Sequence, residues 1–326
     1  MGDVIVGVRD LSIRYRSKHS LAYAVDGVSF DLRRGETMAF VGESGSGKST
    51  AGMALLKLIA PGGEILGGSI MFDGADVLRM TDVELQSVRG RRMSMIFQDP
   101  VTGLNPVLSK GEQVSELLTS HMSIGKKQAA EESVQILADV SLAEPRRVAK
   151  SYPFQLSGGM CQRVMIGLAT ALHPEVIIAD EPTSALDVTI QAQILQQLVE
   201  LRRERGATIL LITHDFGVVS QIADTVAVMY SVRIVESGTV VDVLKHPLHP
   251  YSHGLLATLP RMDINSQELH SIPGTPPELE EPAEHCAFLS RCQKAMNVCR
   301  QQASLPLTPV EGSGNVVACY DPIWHG

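Results

Sequence analysis

The chain has 326 residues, of which 44% are hydrophobic and 20% charged, and its formal net charge is −8 at pH 7. This length predicts one large domain with an appendage, or two domains, and the negative charge argues against a broad surface for the backbone of DNA or RNA. Because no apolar stretch reaches the ~18 to 20 residues that cross a bilayer, and the first residues lack the pattern of a secretory signal, we expect a cytoplasmic chain.

Two kinds of strand are predicted along the chain. Residues 4–15, 27–33 and 69–73 read as short strands bounded by Gly and Asp, which indicates a small β-rich layer. Strands buried on both faces, as in a parallel sheet, are predicted from three continuous apolar runs, Met38–Val41, Val176–Ala179 and Ile209–Ile212. The segment between about 108 and 155 instead has helical spacing. The core is therefore predicted to be α/β with a helical insertion.

The pattern G-x-x-x-x-G-K-[ST] directly follows the first buried run. The motif comprises Gly42, Glu43, Ser44, Gly45, Ser46, Gly47, Lys48, Ser49 and Thr50. Such a loop turns backbone N–H groups toward phosphate oxygens, and the following helix directs its positive end at the same anion. Lys48 is expected to reach the outer phosphates and the Ser49 hydroxyl to bind magnesium. A chance Gly/Ser turn is the alternative to this nucleotide triphosphate site.

The second buried run ends in Asp180 and Glu181. Asp180 is predicted to hold magnesium through water, and Glu181 to polarise an attacking water, although adjacent acids can also simply cap a loop. Thr213 and His214 follow the third run. Since ligands bind beyond the carboxyl ends of such strands, we expect these residues and the loop at Gly42 to form one site.

A second candidate phosphate loop, Leu156-Ser157-Gly158-Gly159-Met160, precedes a helical run at 162–172. Here the sequence resembles the ATP-binding subunits of ABC transporters, whose signature loop reads LSGGQ and completes the ATP site of the opposite subunit. Gln98 matches the Q-loop, residues 184–187 the D-loop, and Thr213-His214-Asp215 the switch histidine, all in family order.

The resemblance implies a P-loop NTPase fold, namely an ABC ATPase domain with a β-rich subdomain, a helical insertion and a cysteine-containing C-terminal extension. The expected boundaries are 1–246 for the ATPase domain, with a helical subdomain at about 100–165, and 247–326 for the extension. Two such domains face head to tail around two ATP molecules, and closure of this pair drives transport.

Residue roles follow from the same resemblance. Gln98 contacts magnesium or the attacking water, and His214 contacts the γ-phosphate or holds Glu181 and the water in place. Tyr15 stacks on adenine. The remaining nucleotide-binding residues are those of the loop at 42–50, Ser157, Gly158, Gly159, Met160 and, in the D-loop, Asp187. Gln98, His214 and Tyr15 each have a plainer alternative, as a solvated glutamine, a structural histidine and a packed tyrosine.

Several segments resemble the oligopeptide, dipeptide and nickel importers within this family. Residues 247–256 look like the HPYT-x-x-LL element, with Ser252 in place of Thr, and residues 272–277 continue it. Residues 96–100 and 104–106 also resemble this branch, as does Met160 at the end of the signature. Any one Pro-rich piece alone is more typical of a turn or linker.

The extension also carries four of the five cysteines, Cys286, Cys292, Cys299 and Cys319. Stable disulfides are disfavoured in a cytoplasmic chain, and four thiolates suit a four-iron four-sulfur cluster or zinc. Similar tails in peptide importers are associated with a cluster, which we favour, with unliganded cysteines as a further alternative. His285 is expected to be a neighbour of the site and Cys161 a packing residue.

Three positions depart from the family pattern: Cys161 follows the signature, Gly103 stands where Ser is usual, and Ser231-Val232-Arg233 replaces a small-Gly-basic turn. None is a phosphate, magnesium or water ligand, so hydrolysis is expected to survive. The turn at Val232 is the one we expect to be strained.

The resemblance thus implies an ATPase that uses ATP and Mg²⁺ to couple energy to import of peptides, with nickel, glutathione or another small solute as alternative cargo. Its expected partners are two permease subunits, a second ATPase subunit and an extracytoplasmic binding protein, at the cytoplasmic face of the inner membrane. A soluble ABC ATPase acting on nucleic acid or ribosomes predicts coiled-coil insertions, tandem cassettes or basic surfaces, and a P-loop kinase would lack LSGGM.

Overall fold

The computed structural model describes residues 3–17, 20–184, 188–258, 272–277 and 279–323. The chain divides into two compact units, each drawn from several stretches. The first unit comprises Met1–Asp3, Arg33–Glu36 and Arg79–Ile212, and the second comprises Val4–Leu32, Thr37–Leu78 and Thr213–Gly326. Neither unit begins or ends at residue 246. The domain boundary expected there stays a prediction.

The strands are β1 Val4–Arg16, β2 Leu21–Arg33, β3 Thr37–Val41, β4 Gly63–Phe72, β5 Ala75–Asp76, β6 Met93–Ile96, β7 Val176–Asp180, β8 Thr208–Ile212, β9 Thr225–Tyr230, β10 Arg233–Thr239, β11 Thr308–Pro309 and β12 Val316–Val317. The helices are α1 Lys48–Leu55, α2 Asp82–Val88, α3 Lys110–His121, α4 Lys126–Asp139, α5 Pro145–Ala149, α6 Gly158–Thr170, α7 Val188–Arg205, α8 Phe216–Ile222, α9 Val240–Lys245, α10 Pro250–Ala257 and α11 Asn297–Gln301.

A parallel sheet of β6, β7 and β8 forms the core of the first unit. Met93 pairs with Val176, and Val176 pairs with Thr208, so the three strands run in register with their carboxyl ends at one edge. Every residue of these strands is buried. This confirms the prediction that continuous apolar runs form strands covered on both faces.

Helices α3, α4 and α5 lie in the segment predicted to be helical, and α6 follows them. Val114, Leu118 and Ala129 form a buried cluster between α3 and α4, against which Ile136 and Leu168 pack. Helix α3 begins with a capping box, in which the Ser109 hydroxyl accepts from the backbone of Glu112 and the Glu112 carboxylate accepts from the backbone of Ser109. The limits of the helical subdomain at about 100–165 stay a prediction.

The β-rich layer of the second unit is an antiparallel sheet in the order β2-β1-β4-β5. Val8 pairs with Ile70 and Ile13 with Ile65, with an irregular register between Arg9 and Ile13. The predicted short strands at 4–15 and 27–33 fall inside β1 and β2, and that at 69–73 overlaps the end of β4; all three observed strands are longer than their sequence pattern indicated.

Strand β3 anchors the rest of the second unit. It runs parallel to β9, with Val41 opposite Val228, while β10 pairs antiparallel with β9 and with β12 of the C-terminal segment. The hairpin between β9 and β10 turns at Ser231 and Val232, whose φ angles are 41° and 67°. A left-handed backbone is unfavourable for a β-branched residue, so the strain expected at Val232 is present. Among the described residues, no helix combines the length and apolarity that crossing a membrane requires.

Candidate functional site

The predicted phosphate loop links β3 to α1, and its glycines are required by the backbone. Gly42 and Gly47 have φ angles of 151° and 96°. A Cβ on Gly42 would lie 2.1 Å from the Met229 carbonyl oxygen, and one on Gly47 would lie 2.1 Å from that of Ala24. Larger residues cannot occupy either position without moving the main chain. The loop therefore packs closely against β9 on one side and β2 on the other.

Lys48 begins α1 and closes the loop on itself. Its side chain is buried, and Nζ donates to the carbonyl oxygens of Gly42 and Glu43, both at 2.8 Å, and to Ser46 Oγ at 3.1 Å. The loop leads directly into the N-terminus of the helix, where the N-cap residue is Gly47. A fixed ammonium beside uncapped N–H groups attracts phosphate oxygens.

Two further predicted residues lie in the second unit. Tyr15 is half-buried on β1 opposite Gly63, and a Cβ on Gly63 would come within 2.7 Å of its ring. His214 is exposed and lies between Thr213, whose N–H donates to Phe40 O, and the cap of α8 at Asp215. The ring of Tyr15 thus packs along glycine, while the imidazole of His214 faces outward from a fixed backbone.

In the first unit, Asp180 is the last residue of β7, Glu181 follows it, and Gln98 lies just after β6, so all three are at the sheet edge where these strands end. Asp180 is 5% exposed, whereas Gln98 is exposed just beyond β6. Glu181 has a φ of 46°, its N–H donates to Ile212 O at 2.8 Å, and its carbonyl oxygen accepts from the N–H and hydroxyl of Ser184. A left-handed backbone in a non-glycine residue costs energy, and it is held here by three hydrogen bonds.

The second predicted phosphate loop caps a long helix. Ser157 Oγ accepts from the N–H of Met160, while Ser157 and Gly158 are exposed and a Cβ on Gly158 would meet nothing within 4 Å. Gln162 of α6 donates to Pro182 O at 2.9 Å, which connects this helix to the loop after Glu181. The D-loop residue Asp187 lies outside the described residues.

The residues that depart from the family pattern in this unit are structural. Cys161 is fully buried, as expected for packing, and lies close to Pro153 O. A Cβ on Gly103 would lie 3.1 Å from both Asp99 O and Met165 Sδ, so a larger residue there would crowd the loop after Gln98.

The four cysteines of the extension line one small cavity of about 20 Å³, together with Phe288. Burial raises the pKa of the Cys286 thiol, and the neighbouring Cys292 and Cys299 raise it further. Within the described residues, however, no group of three or more His, Cys, Asp or Glu side chains is arranged to hold a metal ion. The shared cavity therefore favours the predicted cluster or zinc site, but the described side chains are not arranged as metal ligands.

Sequence reasoning missed how the extension meets the phosphate loop. Arg291 pairs with the Glu43 carboxylate, with Nη1 to Oε2 at 2.8 Å and Nη2 to Oε1 at 2.9 Å, and the Glu43 N–H donates to the Tyr251 hydroxyl at 2.9 Å. Tyr251 belongs to the segment at 247–256, which the sequence analysis used only as evidence of family resemblance. Residues 43 and 291 are 248 positions apart, so no local pattern could connect them.

Comparisons with known proteins agree with these features. The family model for ABC transporters matches residues 25–184, and the model for the oligopeptide/dipeptide transporter C-terminal region matches residues 235–299. The dipeptide transport ATP-binding protein DppD of Bacillus subtilis is 44% identical, with the alignment covering 97% of this chain and 94% of DppD. The oligopeptide transport ATP-binding protein OppD of Salmonella typhimurium is 46% identical, covering 98% and 95%.

Among solved structures, a dimeric post-hydrolysis state of the ATP-binding cassette MJ0796 bound to ADP and Pi is similar, with a TM-score of 0.66 and 28% identity. The match covers 72% of this chain and 98% of the cassette. This likeness, the near full-length identity to peptide-transport proteins and the two matched family models agree with the P-loop and LSGGM motifs. The chain belongs to the ABC transporter ATP-binding subunits of the oligopeptide/dipeptide/nickel importer family, and it is an ATPase.

Proposed function

We propose that this chain couples hydrolysis of MgATP to the import of di- or oligopeptides. The main support is the loop at 42–50, which contains two glycines with no room for a Cβ and a buried lysine. Together they fix the main chain in a conformation suited to binding an anion. The choice of cargo rests on the relatives, which are named as dipeptide and oligopeptide transport proteins. Nickel, glutathione or another small solute is the alternative cargo.

Within this proposal the loop binds the phosphates and Lys48 neutralises the outer ones. Tyr15 stacks on adenine. Ser49, Gln98 and, through water, Asp180 would hold magnesium, which would neutralise phosphate charge when bound. The donor set of hydroxyl, amide and carboxylate oxygens fits this hard cation.

Hydrolysis is proposed to use the carboxylate of Glu181 as the base. Glu181 takes a proton from water as the water oxygen bonds to the γ-phosphorus. The bond between that phosphorus and the bridging oxygen breaks, and ADP leaves with its electron pair. His214 contacts the γ-phosphate or holds the water and Glu181. Ser157, Gly158, Gly159, Met160 and Asp187 complete the ATP site of the opposite ATPase subunit.

ATP therefore favours a closed, head-to-tail pair of ATPase subunits, identical or paralogous, and hydrolysis removes the γ-phosphate contacts that hold it. The proposed partners are two permease subunits and an extracytoplasmic binding protein, with no nucleic acid. The proposed location is the cytoplasmic face of the inner membrane, bound to the permeases.

The test is peptide uptake in cells that lack this chain. Cells complemented with the native chain should take up a labelled dipeptide, whereas cells carrying Lys48→Ala should not, because that variant loses the ammonium that neutralises phosphate. Restored uptake of labelled nickel without uptake of peptide would reassign the cargo. Restoration of uptake by Lys48→Ala would contradict the role of the loop.

The cysteine cavity is proposed to hold a four-iron four-sulfur cluster, with zinc and unliganded thiols as alternatives. The support is that all four thiols line one cavity, as a four-thiolate site requires. Anaerobic purification followed by iron, sulfide and zinc analysis and visible absorption separates the three. About four irons per chain, lost in Cys292→Ser, supports the cluster. Stoichiometric zinc would support the zinc site, and absence of metal would support unliganded thiols.

A further inference from the structure

The C-terminal extension hydrogen-bonds to the phosphate loop at Glu43. This residue follows Gly42 and is held twice, through its carboxylate by Arg291 and through its N–H by the Tyr251 hydroxyl. The two anchors come from separate parts of the extension. One belongs to α10, and the other lies among the cysteines, next to Cys292.

Arg291 is held by hydrogen bonds on every side of its guanidinium, and two of them go to Glu43. Its five N–H donors all find oxygen acceptors: Nη1 and Nη2 each donate to the Glu43 carboxylate, Nη1 also donates to Tyr230 Oη at 3.3 Å, Nη2 to Ile272 O at 3.3 Å, and Nε to Pro273 O at 2.9 Å. A planar guanidinium offers this fork, whereas a lysine has three donors at a single nitrogen. The position therefore discriminates between two side chains of equal charge.

Burial strengthens the Coulomb attraction within this ion pair and makes the loss of one partner costly. The Arg291 side chain is 5% exposed and that of Glu43 is 25% exposed. The guanidinium carbon lies 5.6 Å from the centre of the Tyr230 ring and 5.9 Å from that of Phe288, so these two neighbouring rings shield it from water. If Arg291 were removed, the Glu43 carboxylate would stay beside the loop without its counter-charge.

Tyr251 fixes the backbone of the same residue. It is fully buried and packs against Tyr230 and Phe288, with ring centres 4.5 and 5.5 Å away. Burial raises the pKa of its hydroxyl, which therefore stays protonated and accepts from Glu43 through a lone pair. The N–H of Glu43 consequently points into the extension, which sets the direction of the loop that follows.

We propose that Arg291 and Tyr251 are positioning residues for ATP, which hold the phosphate loop in its binding conformation through Glu43. This inference rests on the proposed role of residues 42–50 as the phosphate loop. It adds that the C-terminal extension sets the nucleotide affinity of its own subunit. A loop that loses these anchors spends less time in the competent conformation, and affinity falls by the same fraction.

The charge of Glu43 gives the proposal a specific signature. In Arg291→Gln the carboxylate is unpaired and repels the triphosphate, so binding should weaken by about tenfold. The double variant Glu43→Gln/Arg291→Gln removes the repulsion but not the need for the fork, so it should recover only part of that loss. Arg291→Lys should not restore native binding either, because it keeps the charge without the fork.

The experiment is calorimetric titration of MgATP into the purified full chain, together with KM and kcat for hydrolysis. We expect Arg291→Gln to raise Kd and KM by about tenfold with kcat changed less than about twofold, since no reacting atom is touched. Arg300→Gln, an exposed arginine of the same extension, is the matched control and should bind ATP as the native chain does. Native affinity in Arg291→Gln would overturn the proposal, as would full recovery of binding in the double variant, because it would assign the loss to charge repulsion alone.

Two further variants keep the result interpretable. Tyr251→Phe keeps the ring packing and removes only the acceptor for the Glu43 N–H, so it tests the same idea if Arg291→Gln does not fold. Unchanged Kd in a folded Tyr251→Phe would remove Tyr251 from the proposal. Lys48→Ala tests the loop itself: if it abolishes binding while Arg291→Gln has no effect, the positioning role fails and the phosphate-loop role stands.

Discussion

Gly47 stands at the start of α1 with a φ of 96°, and a Cβ there would lie 2.1 Å from Ala24 O. We predict that Gly47→Ala weakens MgATP binding by about tenfold or more, because the added methyl pushes the loop from its support. Gly45→Ala is the matched control. Its φ of 78° is also left-handed, but a Cβ there meets nothing within 4 Å. Titration of both variants checks this, and equal losses would mean that backbone strain rather than the clash governs binding.

Glu181 tests the chemistry rather than the binding. We predict that Glu181→Gln binds ATP but hydrolyses it at least about 100-fold more slowly, since the amide keeps the size and backbone of the carboxylate but takes up no proton. Steady-state phosphate release and ATP titration measure the two effects. Glu204→Gln, an exposed glutamate of the same unit, should behave as native. Undiminished turnover in Glu181→Gln would contradict the assignment of the base.

At the scale of elements, the sequence predicted strands better than it predicted how far they extend or where they pair. Continuous apolar runs identified β3, β7 and β8, because burial on both faces leaves a signal within each strand. The pairing of β12 with β10 left no such signal, because β12 has only two residues. The same holds for the pair of Arg291 with Glu43, which depends on the folded path of the chain.

Helix α3 contains a buried cation. Lys110 is fully buried, and within the described part of the chain its Nζ has no hydrogen-bond partner. Burial lowers the pKa of Lys110, although the nearby Cys161 thiol opposes this. Below the ordinary pKa of lysine the unfolded chain therefore binds this proton more readily than the folded one. The resulting loss of stability grows as pH falls from about 10.5 through the lowered folded pKa.

We predict that Lys110→Met stabilises the protein at pH 7 and that this gain disappears above about pH 10.5, where both states of the native chain are neutral. A stabilisation of about 1 kcal/mol would raise Tm by about 2–4 °C. Thermal unfolding at both pH values measures this. Lys126→Met, at an exposed position of α4, should give no such pH-dependent gain. A gain independent of pH would show that packing, and not charge, is responsible.

At the scale of the whole molecule, Glu236 joins the extension to the rest of the second unit. It lies on β10 and is fully buried, and its carboxylate accepts from the N–H groups of Leu248 and His249 and from Asn315 Nδ2, at 2.8, 2.9 and 3.0 Å. Burial raises the pKa of Glu236, while these donors favour the charged form. One side chain thus fixes both the start of α10 and the strand pair of β10 with β12.

We predict that Glu236→Leu destabilises the extension, because leucine leaves three buried donors unsatisfied at about 1–3 kcal/mol each. Because α10 carries Tyr251, ATP binding should weaken in the same variant. Thermal unfolding, limited proteolysis between residues 247 and 323, and ATP titration measure the linked effects, with the exposed Glu280→Leu as control. Loss of stability with native ATP affinity would show that the extension folds onto the unit without setting its nucleotide site. Loss of both stability and ATP affinity would show that the whole extension, and not Arg291 alone, positions the phosphate loop.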